Sequence, residues 1–87
     1  MNNISKYKEV KYSEFISELN LKFKESELSA IKLADKCKLK STMTVNNAFK
    51  KDKQVASDSV VTKIMDFTNL DGFILYNKGE RKYYINK

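Results

Sequence analysis

Histidine, proline and tryptophan are absent from the 87 residues, cysteine occurs once and glycine twice. Without an imidazole, no Ser-His or Cys-His nucleophile pair can be assembled. A single thiol, Cys37, can neither close an intrachain disulfide nor supply a zinc site that has no histidine to add. Two glycines, Gly72 and Gly79, are too few for a glycine-rich phosphate loop. The expectation is a chain that is not an enzyme and that holds no metal and no cofactor. The longest apolar run, Gly72-Phe73-Ile74-Leu75-Tyr76, is far short of the ~20 residues of a membrane-spanning helix. The first six residues lack the apolar stretch of a secretory signal. These absences predict a cytoplasmic location with no membrane partner, and a single domain over residues 1–87 whose first six residues are flexible.

Charge is present, and its placement is uneven. The chain carries 17 basic against 11 acidic residues, a net charge of +6. Lys32, Lys36, Lys38, Lys40, Lys50, Lys51 and Lys53 share one segment with only Asp35 and Asp52, so residues 32–53 hold +5 of that excess and everything else +1. A lysine-rich composition alone gives a solvated surface, but it does not give clustering. A concentrated cationic segment is the electrostatic footprint of a polyanion-binding surface.

Hydrophobic spacing predicts four helices followed by a hairpin. Tyr12, Phe15, Ile16, Leu19 and Phe23 recur at i, i+3, i+4, i+7 and i+11, which places a first helix over about 8–24. Ser26 suits the N-cap of a second helix over about 27–38, with Glu27 in its first turn and Leu28, Ile31, Leu33 and Ala34 inward. A third helix, about 42–51, opens at Ser41 or Thr42 and turns Val45, Ala48 and Phe49 inward. Ser57 caps a fourth over about 58–68, with Val60 or Val61, Ile64, Met65 and Phe67 apolar. Cys37 reads as a small buried hydrophobe.

The period then changes. Residues 73–76 and 81–85 are β-branched and aromatic, and Gly79 between them can take the left-handed conformation of a hairpin loop with a bulge. A hairpin over about 73–86 is marginal alone, so it must pack on the helices or on a second chain. The fold class expected is mainly α, with four short helices, a helix-turn-helix at about 27–51, and a C-terminal β-hairpin.

Between the two lysine groups lie short, uncharged hydrogen-bonding residues: Ser41, Thr42, Thr44, Asn46 and Asn47, around the inward Val45 and Ala48. Asparagine pairs bidentately with adenine, and threonine methyls contact thymine methyls. Asparagine is a poor helix former, so two in succession suggest exposure for a purpose. Ordinary helix capping is the alternative for the serine and threonines. Lys38 and Lys40 before this element, and Lys50, Lys51 and Lys53 after it, are placed to reach backbone phosphates. That division separates positioning contacts from base contacts.

The stretch LADKCKLKSTMTVNNAF, residues 33–49, resembles the helix-turn-helix of the lambda-repressor/Cro-type (Xre-like) DNA-binding family. Ala34 stands where that family has a small residue for close helix approach. Cys37-Lys38-Leu39-Lys40 stands at the turn, where the usual glycine is either replaced by Lys38 or missing altogether, and the spacing from Ala34 to Val45 is one residue longer. The similarity extends over about residues 26–72, through ASDSVVTKIMDFTNLDG. It implies a sequence-specific double-stranded DNA-binding protein, a small repressor of phage or mobile-element type. Such a protein acts as a homodimer joined through the hairpin or helix 1, with two recognition helices about 34 Å apart.

Other readings stay open. A helix-turn-helix scaffold can grip a protein instead, as an antitoxin, anti-defence or host-takeover factor. The fourth helix could read DNA with the hairpin as wing, although Asp58 and Asp66 oppose Lys63 there. On the hairpin, Tyr76, Arg81, Lys82, Tyr83 and Tyr84 are candidates for a wing or a dimer seam. Base stacking by the tyrosines is the further alternative.

Overall fold

The computed structural model describes residues 6–86, and the expected flexible lead-in lies almost wholly outside them. Four helices and a C-terminal antiparallel hairpin form the fold. In chain order they are β1 (Tyr7–Val10), α1 (Tyr12–Glu25), α2 (Ala30–Lys36), α3 (Thr42–Ala48), α4 (Asp58–Thr68), β2 (Gly72–Asn77) and β3 (Glu80–Asn86). The sheet has the order β1-β3-β2, antiparallel throughout.

The first strand corrects the helix expected from residue 8. The apolar spacing that defines α1 begins only at Tyr12, so residues 8–11 add nothing to its buried face. They pair with β3 instead, Val10 opposite Tyr83 and Tyr7 opposite Asn86. That makes β3 the central strand of three and turns a marginal hairpin into a three-stranded sheet.

The second helix is also shorter than expected. Ser26 caps the end of α1: its hydroxyl donates to the Phe23 carbonyl at 2.6 Å, and Glu27 follows at φ +60°. A residue in the left-handed region cannot sit in a first helical turn. Ser29 is the true N-cap of α2, accepting from the Lys32 amide at 3.1 Å. From that start, Leu33, Ala34 and Cys37 point inward and Ile31 points out, 71% exposed, against expectation.

The α2 helix ends in a hydrogen-bond pattern usually built on glycine. The Leu39 amide donates to the Ala34 carbonyl at 2.9 Å and the Lys38 amide to the Asp35 carbonyl at 3.1 Å, with Lys38 at φ +58°. Lys38 therefore adopts the left-handed backbone that glycine takes most readily. The α3 helix stops at Ala48 rather than 51, and the Asn46 and Asn47 carbonyls accept from Phe49 and Lys50 in a tightened last turn. The α4 helix spans the expected 58–68, capped by Ser57 through the Val60 amide at 3.3 Å. In the hairpin, Asn77 and Glu80 pair directly. The loop is thus two residues, Lys78 and Gly79, both at positive φ as a type I′ turn requires, and the expected bulge is absent.

One core joins all these elements. Phe15, Ile16 and Leu19 of α1 are fully buried with Leu33, Val45, Val61 and Ile64, and Tyr83 and Ile85 close the layer from the sheet. Cys37 is buried among them, and burial pushes its thiol pKa up, as befits an unreactive hydrophobe. Gly72 is required by contact: a Cβ there would run into the Tyr84 carbonyl oxygen of the neighbouring strand.

Candidate nucleic-acid interface

The α3 helix is anchored by Val45 and Ala48, both buried, with Phe49 stacked on Phe23 of α1 at 5.1 Å. Anchoring that side fixes what the other presents. Met43, Asn46 and Asn47, at i, i+3 and i+4, form the outward ridge opposite the buried face. Met43 is 68% exposed and Asn46 is exposed, while Asn47 is half-buried. Ser41 is the exposed N-cap, and Thr42 and Thr44 are half-buried along the flanks of the ridge.

Ser41 occupies the capping position without capping: its side chain makes no hydrogen bond to the helix. None of Ser41, Thr42, Thr44, Asn46 and Asn47 has a side-chain hydrogen bond to any described residue. Four hydrogen-bonding side chains on α3, and the one at its N-cap, thus have no partner among the described residues.

The cations flank this element in the chain. Lys38 and Lys40 lie in the turn before α3, and Lys50, Lys51 and Lys53 in the loop after it; all five are exposed. Lys32 and Lys36 on α2 are exposed as well. None of these seven lysines forms an ion pair with a described residue; the pairs there are Lys22–Glu25 at 3.7 Å and Arg81–Asp58 at 2.8 Å.

The loop carrying the second lysine group is tied at both ends. The Tyr12 hydroxyl donates to the Lys50 carbonyl at 2.7 Å. At the other end, Gln54 Nε2 donates to the Ala56 carbonyl at 2.8 Å and to Asp58 Oδ1 at 2.6 Å. Gln54 Oε1 accepts from the Tyr83 hydroxyl at 2.8 Å. Sequence reading missed Tyr12 and Gln54 in this role because their partners lie 38 and 29 residues away.

The hairpin candidates separate into three kinds. Tyr83 is 7% exposed and packs 5.0 Å from both Tyr12 and Phe15, so as a wing or seam residue it is corrected: it belongs to the core. Two adjacent tyrosines on a strand face opposite ways, and Tyr84 lies on the outer face, stacked on Phe73 at 4.8 Å. Arg81 is held by Asp58 and lies over the Tyr76 ring at 4.9 Å, which engages its guanidinium inside the chain. Lys82 and Tyr76 remain exposed. Met43, exposed on the same ridge, is the residue that sequence reading passed over; its i, i+3, i+4 relation to the asparagines was the available signal.

No helix among the described residues is long and apolar enough to cross a membrane. Comparison with known proteins returned no matching family model, no similar curated protein and no similar solved structure.

Proposed function

We propose that this chain is a sequence-specific double-stranded DNA-binding protein of helix-turn-helix type, a small cytoplasmic transcriptional repressor acting as a homodimer. The observation that carries the reading is the pairing of two features on one element. The α3 helix offers hydrogen-bonding side chains with no internal partner, and the unpaired lysines lie just before and after it. Lys38, Lys40, Lys50, Lys51 and Lys53 contact phosphates, while Ser41, Thr42, Thr44, Asn46 and Asn47 face base edges. Repression follows from occupancy of an operator, with Lys82 and Tyr76 left on the hairpin for a wing contact or a dimer seam.

The resemblance to the lambda-repressor/Cro-type family supports this reading through the residues alone. The Schellman-type turn at Lys38 supports it too, since it gives the chain the backbone that the missing glycine would have provided. The test is selection of duplexes from random DNA, followed by a salt titration on the selected site. A converged sequence and a log-log salt slope of several units are expected. Absence of duplex binding at low salt would overturn the reading.

A protein-interaction role is the second reading, favoured by Ile31 and Met43. These two side chains are 71% and 68% exposed and stand on the paired helices α2 and α3. Exposed aliphatic side chains of that size suit a protein partner for an antitoxin or anti-defence factor.

A further inference from the structure

Met43 has no place in a ridge that reads bases by hydrogen bonding alone. It lies in the first turn of α3, 68% exposed, with Asn46 and Asn47 three and four residues on. Residues so spaced on a helix stand about 5–6 Å apart. Stacked base pairs rise about 3.4 Å per step, so side chains that far apart reach base pairs within one or two steps of each other. The major groove offers one prominent apolar feature, the C5 methyl of thymine, and asparagine matches the N6/N7 edge of adenine. A thioether side chain is unbranched and adaptable, suited to closing around a methyl group.

Resting on the DNA-binding reading above, we infer that Met43, Asn46 and Asn47 form one reading unit for an A·T-containing step. Met43 packs on a thymine C5 methyl, and an asparagine pairs with an adenine within one or two base pairs of it. Met43 is then a specificity-determining residue, and the preferred duplex holds neighbouring A·T pairs in each half-site. Exposure of so large an apolar side chain in the free protein is explained by the methyl that covers it in the complex. Thr42 and Thr44 on the flanks carry methyl groups of their own and extend the apolar rim of the unit.

The test uses the full chain and its selected duplex, with each thymine replaced in turn by deoxyuridine, which removes only the C5 methyl. At one thymine per half-site, wild-type affinity should fall about fourfold, the transfer free energy of one buried methyl group. Met43→Ala should bind the thymine and uracil duplexes equally. At an adenine within one or two base pairs, 7-deazaadenine should cost the wild type about tenfold, and Asn46→Ala or Asn47→Ala should abolish that difference. Met43 is exposed, so an unchanged melting temperature is expected for its alanine variant. Equal wild-type binding to every uracil duplex, or a methyl effect that survives in Met43→Ala, would overturn the inference while leaving DNA binding intact. Absence of any duplex binding would instead remove the reading on which it rests.

Discussion

The Tyr12 hydroxyl and the Lys50 backbone carbonyl meet at 2.7 Å, joining the first turn of α1 to the first residue of the lysine-bearing loop. Tyr12 also lies 5.0 Å from the Tyr83 ring, so one side chain serves the core, the sheet and the candidate interface. Tyr12→Phe keeps the ring and removes the hydrogen bond. It should lower stability by about 1 kcal/mol in denaturant unfolding. It should also raise amide exchange across residues 50–53 more than across α4.

The same residue sets an alkaline limit. Burial, with a smaller contribution from Tyr83, pushes the Tyr12 pKa up from 10 to about 12. A folded-state pKa above the unfolded value gives stability that is complete below pH 10 and lost as pH rises towards 12. The Tyr83 hydroxyl is shifted the same way, mainly by burial. Melting temperature measured from pH 8 to 12 should therefore fall above pH 10, and Tyr12→Phe should reduce that fall.

Asp71 sets the opposite limit. It accepts from the Tyr7 hydroxyl at 2.6 Å and from Asn86 Nδ2 at 2.9 Å, gathering β1 and the end of β3 onto the turn that follows α4. These donors hold its carboxyl below the usual carboxylate pKa. Its contribution is present above the unfolded value of about 3.9 and disappears as pH falls through the lower folded one. Asp71→Asn should lower the melting temperature at pH 7, and the difference should shrink as pH falls below the unfolded value.

Gln54 is the second fastening of the loop. Gln54→Ala leaves the Tyr83 hydroxyl, on a buried side chain, without its partner and should cost about 1–3 kcal/mol in denaturant unfolding. The lysine count is unchanged, so the salt slope of duplex binding should stay the same while affinity falls. A reduced slope would mean that the loop lysines had left the phosphates altogether.

Lys38 separates stability from binding. At φ +58° a side chain costs roughly 1 kcal/mol that glycine avoids. Lys38→Gly should raise stability by about that amount and, in the same protein, flatten the salt slope by roughly one unit. Lys50→Ala should flatten the slope without the stability gain. Asn46→Ala should keep the slope and lose about 1–3 kcal/mol of discrimination at one base position.

Local chemistry written in neighbouring residues was legible without coordinates. The α1 stripe from Tyr12 to Phe23, the Ser57 cap, the burial of Cys37 and Val45, and the positive φ of Gly79 each depend on residues a turn or two apart. The cationic segment and the polar face of α3 were legible for the same reason, since composition and helical period define them.

Tertiary structure decided whatever required a choice among locally equal options. Ser26 and Ser29 are both capable caps, and the left-handed turn at Glu27 assigns the start of α2 to Ser29. Tyr83 and Tyr84 are alike on an alternating strand, and packing against Phe15 sends Tyr83 inward. Residues 7–10 carry too few apolar side chains to declare a strand, and become one because β3, more than 70 residues on, offers them its free side. Short-range periodicity selects elements through forces acting within a few residues. Pairing partners, inward faces and tethered loops depend on contacts that form only when distant segments share one core.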